Sequence, residues 1–406
     1  MEDARPLRIL ALSSLFPTAA APNHGIFVAR SLEALAQQPG VEVEVIAPIA
    51  RAPWPLSLHP KLRPPAATAG EELRGSIRVH RPSFLSIPRY GARWNAAAMA
   101  RAALPIAQEI ARTRRVDVID AHFFHPDAAA ASRLSAALGV PFAVTARGSD
   151  IAYWGHRPAI RDQMQAAARK AGAVLPVSDD LAATMRAMGF QKEHMAMRRT
   201  GLDVTRFHAT GRVEARRRLG VREFPTLLTV GALIPLKGHR LLLEALPQLL
   251  QDYPDLHWYV AGSGPEGEAL RDRAIALGLT GSVTFLGQVQ HDDLPDWFRA
   301  SDLMVLPTER EGLANVWVEA MGCGTRVVTT DIPSAHEAIR DSQEGALTRR
   351  EPDAIASAIR SLLAQPHDPQ ALSARTHARF DWAIHGAEMA EQLRAAARRG
   401  FSGSAR

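Results

Sequence analysis

The stretch DLMVLPTEREGLANVWVEAMGCGTRVVTT, residues 302–330, decides the fold class. An apolar run of strand length is followed by a polar loop, an apolar helical segment and a second β-branched run. Two neighbouring strands joined through a helix are parallel, and parallel sheets occur almost only in α/β domains. The stretch therefore predicts an α/β domain whose loop EREGLAN lies at the carboxyl end of a strand, where open parallel sheets bind ligands.

The rest of the chain repeats this alternation of strand and helix in two blocks. The predicted strands are LRILALSS, VEVEVIAP, VDVIDAH, PFAVTA and AVLPVS in the first half, and PTLLTVGAL, LHWYVAGSG, SVTFLGQV, DLMVLPT and RVVTTDIP in the second. They predict two doubly wound domains, residues 1–205 and 206–382, joined by a polar linker. A last helix, about residues 383–400, follows the second sheet and is expected to return to the first domain. If the two carboxyl edges face each other, they form a cleft for a small molecule.

Composition excludes several classes of protein. The 406 residues are 47% hydrophobic and 22% charged, as in ordinary soluble enzymes, and the single cysteine, Cys323, excludes an internal disulfide. No apolar run is long enough to span a membrane. Arg5 and Arg8 before an apolar run resemble a signal peptide, but Glu2 and Asp3 argue against one. The sequence therefore predicts a cytoplasmic protein.

The positive charge lies in the first half of the chain. Residues 1–205 contain 25 Lys and Arg against 17 Asp and Glu, whereas residues 206–406 contain 23 against 25. This asymmetry fits an anionic partner such as a membrane surface or a phosphorylated acceptor, and it equally fits an arginine-biased composition with solvated helix faces. No nucleic-acid-binding motif accompanies the charge.

Two glutamates bracket the loop and the helix in the opening stretch. The backbone N–H groups of Gly312, Leu313 and Asn315 lie where a helix begins and favour an anionic or polar ligand. Glu311 in the loop is then expected to accept hydrogen bonds from sugar hydroxyls, and Glu319, about two turns along, from a diol such as a ribose. The alternative is that both are ordinary solvated glutamates.

A lysine occupies the turn VGALIPLKGH after the first strand of the second half. Only 4 lysines occur beside 44 arginines, so Lys237 before a glycine and a new helix predicts a compact cation for a phosphate. A lysine that caps a solvated turn is the alternative.

Two further motifs are weaker. Gly262, Gly264 and Gly267 match G-x-G-x-x-G, but Pro265 interrupts the motif and no acidic residue follows the next strand, so we expect the glycines to let the backbone pass close to a nucleotide. The segment DAHFFHPD offers three residues at spacings that a metal could use, but without a supporting motif they are interpreted as cleft-lining groups. These residues are His122, His125 and Asp127.

Five segments, in order, make the chain similar to retaining glycosyltransferases of family 4, which have the GT-B fold of two Rossmann-like domains. The segments are HGIFV, VSDDLAATMRAMG, VGALIPLKG, FLGQV and EGLANVWVE, the last matching the family's E-x7-E motif. The resemblance covers nearly the whole chain. It implies an acceptor-binding first domain and a second domain that binds a nucleoside diphosphate sugar, with no metal or other cofactor.

The resemblance also implies roles for individual residues. Glu311 would bind the donor sugar, Glu319 the ribose, and Lys237 the departing diphosphate, together with the amides near Gly312, Leu313 and Asn315. Gly25 would let its loop approach the diphosphate, and Val289 would hold the base through its backbone. On the acceptor side the resemblance places His122 and Arg147.

Two positions depart from the family's pattern. Ala232 stands where an arginine is frequent, so one cation on the diphosphate is missing. Arg147 stands where a histidine is frequent, and an arginine does not act as a base at neutral pH. It would instead supply the missing cation or bind a phosphate of the acceptor.

The sequence as a whole predicts a retaining hexosyltransferase that uses a nucleoside diphosphate sugar and a glycan or lipid-linked acceptor in surface polysaccharide biosynthesis. The arginine-rich first domain, through IPRYGARWN and the helix that ends near Arg115, would contact the inner face of the cytoplasmic membrane. A nucleotide-sugar epimerase or hydrolase of the same fold, a nicotinamide oxidoreductase and a non-catalytic binding protein are the alternatives.

Overall fold

The strand-length runs form two main parallel sheets in the computed structural model, which describes residues 5–59, 70–87, 91–190, 193, 195–221 and 225–402. The chain divides into two compact units, which we call unit 1 (residues 1–201 and 382–406) and unit 2 (residues 202–381). The sequence places these boundaries near residues 205 and 382. Two segments named above, Glu2 with Asp3 and residues 88–90 of IPRYGARWN, lie outside the described residues.

Unit 1 is built on a seven-stranded sheet with helices packed against it. Its strands are β1 Leu7–Ser13, β2 Val41–Ile46, β3 Ile49–Arg51, β4 Gly70–Arg74, β5 Ile77–Arg81, β6 Ser83–Leu85, β7 Val118–His122, β8 Phe142–Ala146 and β9 Ala173–Pro176. Its helices are α1 Ile26–Ala36, α2 Ala92–Thr113, α3 Ala129–Leu138, α4 Pro158–Lys170, α5 Asp179–Ala187 and α14 Trp382–Ser402. The strand order is β4-β5-β2-β1-β7-β8-β9, and β3 pairs separately with β6.

Unit 2 contains a six-stranded parallel sheet. Its strands are β10 Thr226–Val230, β11 His257–Ala261, β12 Val283–Gly287, β13 Leu303–Leu306, β14 Arg326–Thr330 and β15 Gly345–Thr348, in the order β12-β11-β10-β13-β14-β15. Its helices are α6 Arg212–Leu219, α7 His239–Asp252, α8 Gly267–Ala276, α9 Leu294–Ala300, α10 Asn315–Gly322, α11 Pro333–Ala338, α12 Pro352–Leu363 and α13 Pro369–Phe380.

Both sheets bury both faces, because successive side chains of a strand point to opposite sides. In β1, Leu10 and Leu12 pack into one core cluster, and Ile9 and Ala11 into another. In unit 2 the central strands divide their side chains in the same way. The predicted α/β class with doubly wound sheets is therefore confirmed.

The C-terminal helix α14 returns to unit 1. Its residues Met389, Leu393 and Ala396 are buried in one of the two core clusters of that sheet, and Gly172 leaves room for the backbone of Ala396. Burial of each large apolar side chain stabilises the fold by about 1.5–3 kcal/mol. In the described part of the chain, no helix is both long and apolar enough to cross a membrane.

Five elements of the sheets do not follow from the apolar pattern. β3, β6 and β15 have three or four residues each, and β4 is a charged, mostly exposed edge strand of sequence GEELR. β5 alternates apolar and basic residues in IRVHR and pairs with β4 antiparallel. Short or charged edge strands carry little hydrophobic signal, which is why they are missed.

Candidate active site

In each unit several of the predicted site residues lie at the point where the sheet's connections change direction. In unit 2, β10 and β13 are adjacent, but the chain continues from β10 to β11 on one side and from β13 to β14 on the other. The loops after two such strands diverge and leave a crevice at their carboxyl ends. Lys237 follows β10 and Glu311 follows β13, so the fold brings two motifs 74 residues apart to one crevice.

The side chains of Lys237 and Glu311 form an ion pair across this crevice. The ammonium Nζ contacts Glu311 Oε1, and the Thr308 hydroxyl donates a second hydrogen bond to the same oxygen at 3.1 Å. Lys237 and Glu311 keep 18% and 15% of their side-chain surface exposed. The crevice thus presents a cation and a hydrogen-bond acceptor side by side, both of which solvent reaches.

The two loops are fastened to each other through their backbones. Gly238 has φ +72°, and a Cβ there would lie 2.2 Å from the carbonyl oxygen of Pro307, so glycine is required for this approach. Glu309 N–H donates to Leu236 O at 2.8 Å. Arg350, just after β15, donates to the carbonyl oxygens of Pro235 at 2.9 Å and Pro307 at 3.2 Å. These bonds fix the spacing between Lys237 and Glu311.

Helix α10 begins later than the motif suggests. Its first residue is Asn315 and its N-cap is Ala314, which provides no side-chain cap, while Gly312 and Leu313 lie in the preceding loop. A helix start whose N-cap side chain makes no hydrogen bond suits a negatively charged ligand, because the helix dipole favours negative charge there. Because Glu311 lies outside the helix, helical periodicity does not align it with Glu319.

Glu319 lies in the second turn of α10 and already has a side-chain partner. His291 Nε2 lies 2.8 Å from Glu319 Oε1, and the His291 ring packs against Phe207 with centroids 5.5 Å apart. His291 follows Val289 in the loop after β12, the strand at one edge of the sheet. The predicted ribose and base positions are therefore linked through His291.

The glycine motif after β11 has a structural role. A Cβ on Gly262 would lie 1.8 Å from Gly231 O, and one on Gly264 would lie 2.4 Å from Leu233 O. Gly262 and Gly264 let the loop after β11 pack against the loop after β10, and the expectation that the glycines let the backbone pass close to a nucleotide stays a prediction. Ala232, in the latter loop, is exposed.

Unit 1 has a corresponding crevice between β1 and β7. Gly25 is the N-cap of α1 with φ +72°, and a Cβ there would lie 2.4 Å from the carbonyl group of Leu15. The Asp127 carboxylate accepts a hydrogen bond from Ser14 N–H at 2.9 Å. The loop after β1 is thus folded tightly onto the start of α1, which gives Gly25 a structural reason that is independent of any ligand.

Arg147 and His122 contact each other at the same edge. His122 is the last residue of β7, and Arg147 follows the neighbouring strand β8. An Arg147 guanidinium N–H donates to His122 Nδ1 at 2.9 Å, and the guanidinium lies over the ring of Phe27, 4.9 Å from its centroid. His122 is completely buried, so its side chain does not line a cleft as expected, and Arg147 is the more exposed of the two.

A buried ion pair lies beneath this contact. Arg198 donates to both carboxylate oxygens of Asp120 at 2.8 and 2.9 Å, and to the Thr145 hydroxyl at 2.7 Å. The other side of Asp120 faces His122, with Oδ2 3.2 Å from Nε2. Because Nδ1 accepts from Arg147, the proton of the neutral ring lies on Nε2, facing Asp120. The four residues Arg198, Asp120, His122 and Arg147 form one network.

Burial sets the protonation states of this network. Burial, against the attraction of Asp120, lowers the pKa of His122 to about 4, so the ring is neutral at pH 7. Burial and then the charge of Arg198 lower the pKa of Arg147 to about 9, which leaves it a cation at pH 7. Burial alone would raise the pKa of Asp120, but Arg198 and His122 outweigh it and lower that pKa. Arg147 is therefore a cation held by a neutral acceptor.

The three residues of DAHFFHPD that a metal could use have separate partners. His122 contacts Arg147, Asp127 accepts from Ser14, and the His125 ring packs against Trp154 with centroids 4.7 Å apart. Within the described residues, no group of three or more histidine, cysteine, aspartate or glutamate side chains is arranged to hold a metal ion.

Five residues of the two crevices were not found from the sequence. They are Asp120, Arg198, His291, Thr308 and Arg350. Asp120 carried a usable signal, since an acid in the middle of an apolar strand requires a cation nearby. Nothing in the sequence pairs it with Arg198, which is 78 positions away.

Two family profiles match the chain, one in each half. The profile described as Glycosyltransferase Family 4 matches residues 25–206, and the one described as Glycosyl transferases group 1 matches residues 224–365. The chain is 28% identical to the putative teichuronic acid biosynthesis glycosyltransferase TuaC of Bacillus subtilis, over 87% of this chain and 88% of that protein. It is 39% identical to a D-inositol 3-phosphate glycosyltransferase of Geodermatophilus obscurus, over 45% and 43% of the two chains. Except for TuaC, the chain spans about half the length of the curated relatives it matches.

Solved structures share the fold over almost the full length. A sucrose-phosphate synthase from Thermosynechococcus elongatus superimposes with a TM-score of 0.76 at 21% identity, covering 96% of this chain and 98% of that one. HepE from Anabaena, in complex with UDP, gives a TM-score of 0.72 at 21% identity, covering 96% and 100%. These structures confirm the predicted GT-B fold.

Proposed function

The chain belongs to glycosyltransferase family 4, and from this premise we propose that it transfers a sugar from a nucleoside diphosphate sugar to a hydroxyl group of a glycan or lipid-linked acceptor, with retention of the anomeric configuration. The observation that carries the proposal is the Lys237–Glu311 pair beside the uncapped start of α10. A cation and backbone N–H groups suit a departing diphosphate, and a carboxylate suits the sugar hydroxyls.

In the proposed reaction, the bond between the anomeric carbon and the diphosphate oxygen breaks as the acceptor oxygen bonds to the same face of the sugar. The acceptor proton passes to the departing phosphate oxygen, so no protein base is required. Lys237 and the α10 amides stabilise the negative charge on the diphosphate, and Glu311 orients the sugar. Glu319 holds the ribose, with His291 fixing its carboxylate, and the backbone at Val289 holds the base. Preorganised groups of this kind supply most of the rate enhancement in such reactions.

On the acceptor side, the proposal assigns Arg147 to a negative charge. Its guanidinium is assigned to a phosphate of the acceptor. His122 positions Arg147 from below and does not itself contact the acceptor. The similarity to a glycosyltransferase named for teichuronic acid biosynthesis supports a role in surface polysaccharide synthesis.

We further propose that the protein works in the cytoplasm at the inner face of the membrane. The excess of basic residues in the first half supports this, but the two ends of the predicted contact surface are far apart. Arg93 and Arg112 lie near opposite ends of α2, about 28 Å apart at 1.5 Å per residue. Arg112 pairs with Glu109, and Arg115 with Asp117, so these two arginines are expected to contribute little to an attraction to anionic lipid.

The experiment that tests the function is incubation of the full chain with a panel of nucleoside diphosphate sugars, with and without a lipid extract as acceptor source. Release of nucleoside diphosphate that depends on the extract, with the sugar recovered in the lipid fraction, is expected. Consumption of a donor without acceptor would identify a hydrolase or epimerase, and binding of a donor without turnover would identify a non-catalytic protein. Both outcomes contradict the proposal.

A further inference from the structure

Several arginines of unit 1 differ in what their guanidinium groups contact. One group makes ion pairs with carboxylates, as in Arg8–Glu42, Arg74–Glu33, Arg78–Glu71, Arg81–Glu72, Arg112–Glu109 and Arg115–Asp117. The second group includes Arg93 and Arg157, which lie over aromatic rings. Among the residues that the structure describes, no carboxylate lies within ion-pair distance of these two.

The stacking contacts are close. The guanidinium carbon of Arg93 lies 4.1 Å from the ring centre of Trp94, and that of Arg157 lies 4.7 Å from Tyr153 and 4.8 Å from Trp154. Arg157 also donates to the Tyr153 hydroxyl at 2.8 Å. Stacking holds a guanidinium by its face and leaves N–H groups at its edge for another acceptor.

The two stacked pairs belong to one surface, which we call the α2–α4 rim and define by Arg93, Trp94, Tyr153, Trp154 and Arg157. Gln163 on α4 donates to the carbonyl oxygen of Arg93 at 3.0 Å, which ties the start of α2 to α4. The rim is open to solvent: both arginines are exposed, and Trp94 and Tyr153 keep 51% and 58% of their surface accessible.

The rim lies at the ligand-binding edge of the sheet of unit 1. The segment with Tyr153 and Trp154 follows β8 directly, after Arg147. His125, which follows β7, packs against Trp154. The charged neighbours are few: His156 is exposed beside Arg157, and the exposed Asp162 lies five residues further along. The rim is therefore a cationic, aromatic surface next to the crevice that holds Arg147.

We propose that the α2–α4 rim binds a phosphate or diphosphate group of the acceptor. Two arginines that have no acidic partner among the described residues provide the bidentate N–H groups that phosphates prefer, and the aromatic rings hold them in place without neutralising them. The exposed faces of Trp94 and Tyr153 add an apolar border that suits the sugar or lipid part next to such a phosphate. Only the identification of this phosphate as part of the acceptor rests on the proposed function.

The first test uses inorganic pyrophosphate as the probe, titrated into the full chain by calorimetry. All proteins carry Lys237→Gln, which weakens binding at the crevice of unit 2. Adding Arg93→Gln and Arg157→Gln together should weaken pyrophosphate binding at least tenfold, because the variant removes both cations of the rim and their charge-assisted hydrogen bonds. Arg112→Gln, an exposed arginine at the other end of α2, is the matched control and should leave the affinity unchanged.

A second variant separates a built site from diffuse positive charge. Tyr153→Leu keeps the net charge but removes the ring and the hydroxyl that hold Arg157, so it should weaken pyrophosphate binding several-fold. Circular dichroism and thermal unfolding confirm that each variant is folded. Affinities for the double arginine variant that equal those of the Arg112→Gln control would overturn the proposal, as would an unchanged affinity of Tyr153→Leu.

A third test distinguishes a phosphate site from a membrane contact. Binding is measured to vesicles of phosphatidylcholine and to vesicles of phosphatidylcholine mixed with phosphatidylglycerol. If the variant with Arg93→Gln and Arg157→Gln loses binding to the anionic vesicles but keeps its affinity for pyrophosphate, the rim is a lipid surface and the phosphate site is rejected. These measurements need no sugar transfer, so failure of the proposed function leaves their outcome interpretable.

Discussion

The two crevices differ in how deeply their charged groups are buried. In unit 2 the Lys237–Glu311 pair keeps 18% and 15% of its side-chain surface exposed, and neither partner lies deep in the core. In unit 1 Asp120 and His122 are completely buried, and Arg198 is 2% exposed. A half-buried pair that solvent reaches can exchange its partner for a ligand at a smaller cost. Removing one member of a buried network lowers the free energy of unfolding by several kcal/mol. The comparison indicates that the charged groups of unit 2 are accessible to a ligand. In unit 1, a buried network supports a single cation, Arg147.

The largest effect is expected for the buried ion pair. Arg198→Gln leaves the Asp120 carboxylate buried without its cation, which should lower the free energy of unfolding by about 3–5 kcal/mol. Urea denaturation of the wild type and the variant measures this difference in the free energy of unfolding. The control Arg112→Gln removes an exposed ion pair and should leave the unfolding midpoint unchanged.

The double variant Asp120→Leu with Arg198→Met sharpens this test, because it removes both charges from the same buried position. It should recover much of the stability lost in Arg198→Gln. A double variant as unstable as the single one would show that the pair does more than neutralise buried charge.

The next effect is a loss of stability at acidic pH. The pKa of His122 is about 4 in the folded protein and about 6.5 in an unfolded chain, so below pH 6.5 protons bind the unfolded state preferentially. The stabilisation is present above pH 6.5 and is lost as the pH falls to about 4. His125 and His239, whose pKa values burial also lowers to about 4, act in the same direction.

Replacing His122 isolates its share of this effect. In His122→Gln, the slope of unfolding free energy against pH between 6.5 and 4 should decrease by up to about 1.4 kcal/mol per pH unit. His156→Gln, at an exposed position, is the control and should keep the slope of the wild type. An unchanged slope in His122→Gln would mean that this ring is protonated in the folded protein.

A smaller effect separates the two glutamates of unit 2. Glu311→Gln should lower kcat about tenfold to hundredfold and change the affinity for the free nucleoside diphosphate little, because Glu311 acts on the sugar. Glu319→Gln should mainly raise the KM for the donor and weaken binding of the free nucleoside diphosphate. His291→Leu should resemble Glu319→Gln, since it removes the partner at 2.8 Å.

Steady-state kinetics and calorimetric titration of the nucleoside diphosphate measure both quantities, after circular dichroism has confirmed folding. Equal loss of nucleotide affinity in Glu311→Gln and Glu319→Gln would refute the division of roles. No change in either variant would show that both are ordinary surface glutamates.

No effect is expected from metal removal. Lys237 and the α10 amides are proposed to stabilise the diphosphate, and the chain contains no Asp-x-Asp pair. Activity in excess EDTA should equal activity in magnesium or manganese. Loss of turnover in EDTA that either ion restores would count against the role of Lys237.

The sequence by itself determined the α/β class, the ten main strands and the sheet edge at which Lys237 and Glu311 lie. Apolar runs of strand length record burial directly, and the motifs of unit 2 lie in loops directly after strands, so their place at one sheet edge follows from the strand order. The return of the last helix to unit 1 was predictable because this helix follows the last strand predicted for the second sheet.

Only the tertiary structure decided the contacts made by side chains that are distant in the sequence. Asp120 and Arg198 are 78 positions apart, and His122 meets Arg147 because β7 and β8 pair in one register. The burial that neutralises His122 and the contacts of Arg93 and Arg157 with aromatic rings depend on how the elements pack. A pattern of residue types records which side chains are apolar, but the distance between two polar side chains, and hence their charge state, depends on how the elements pack.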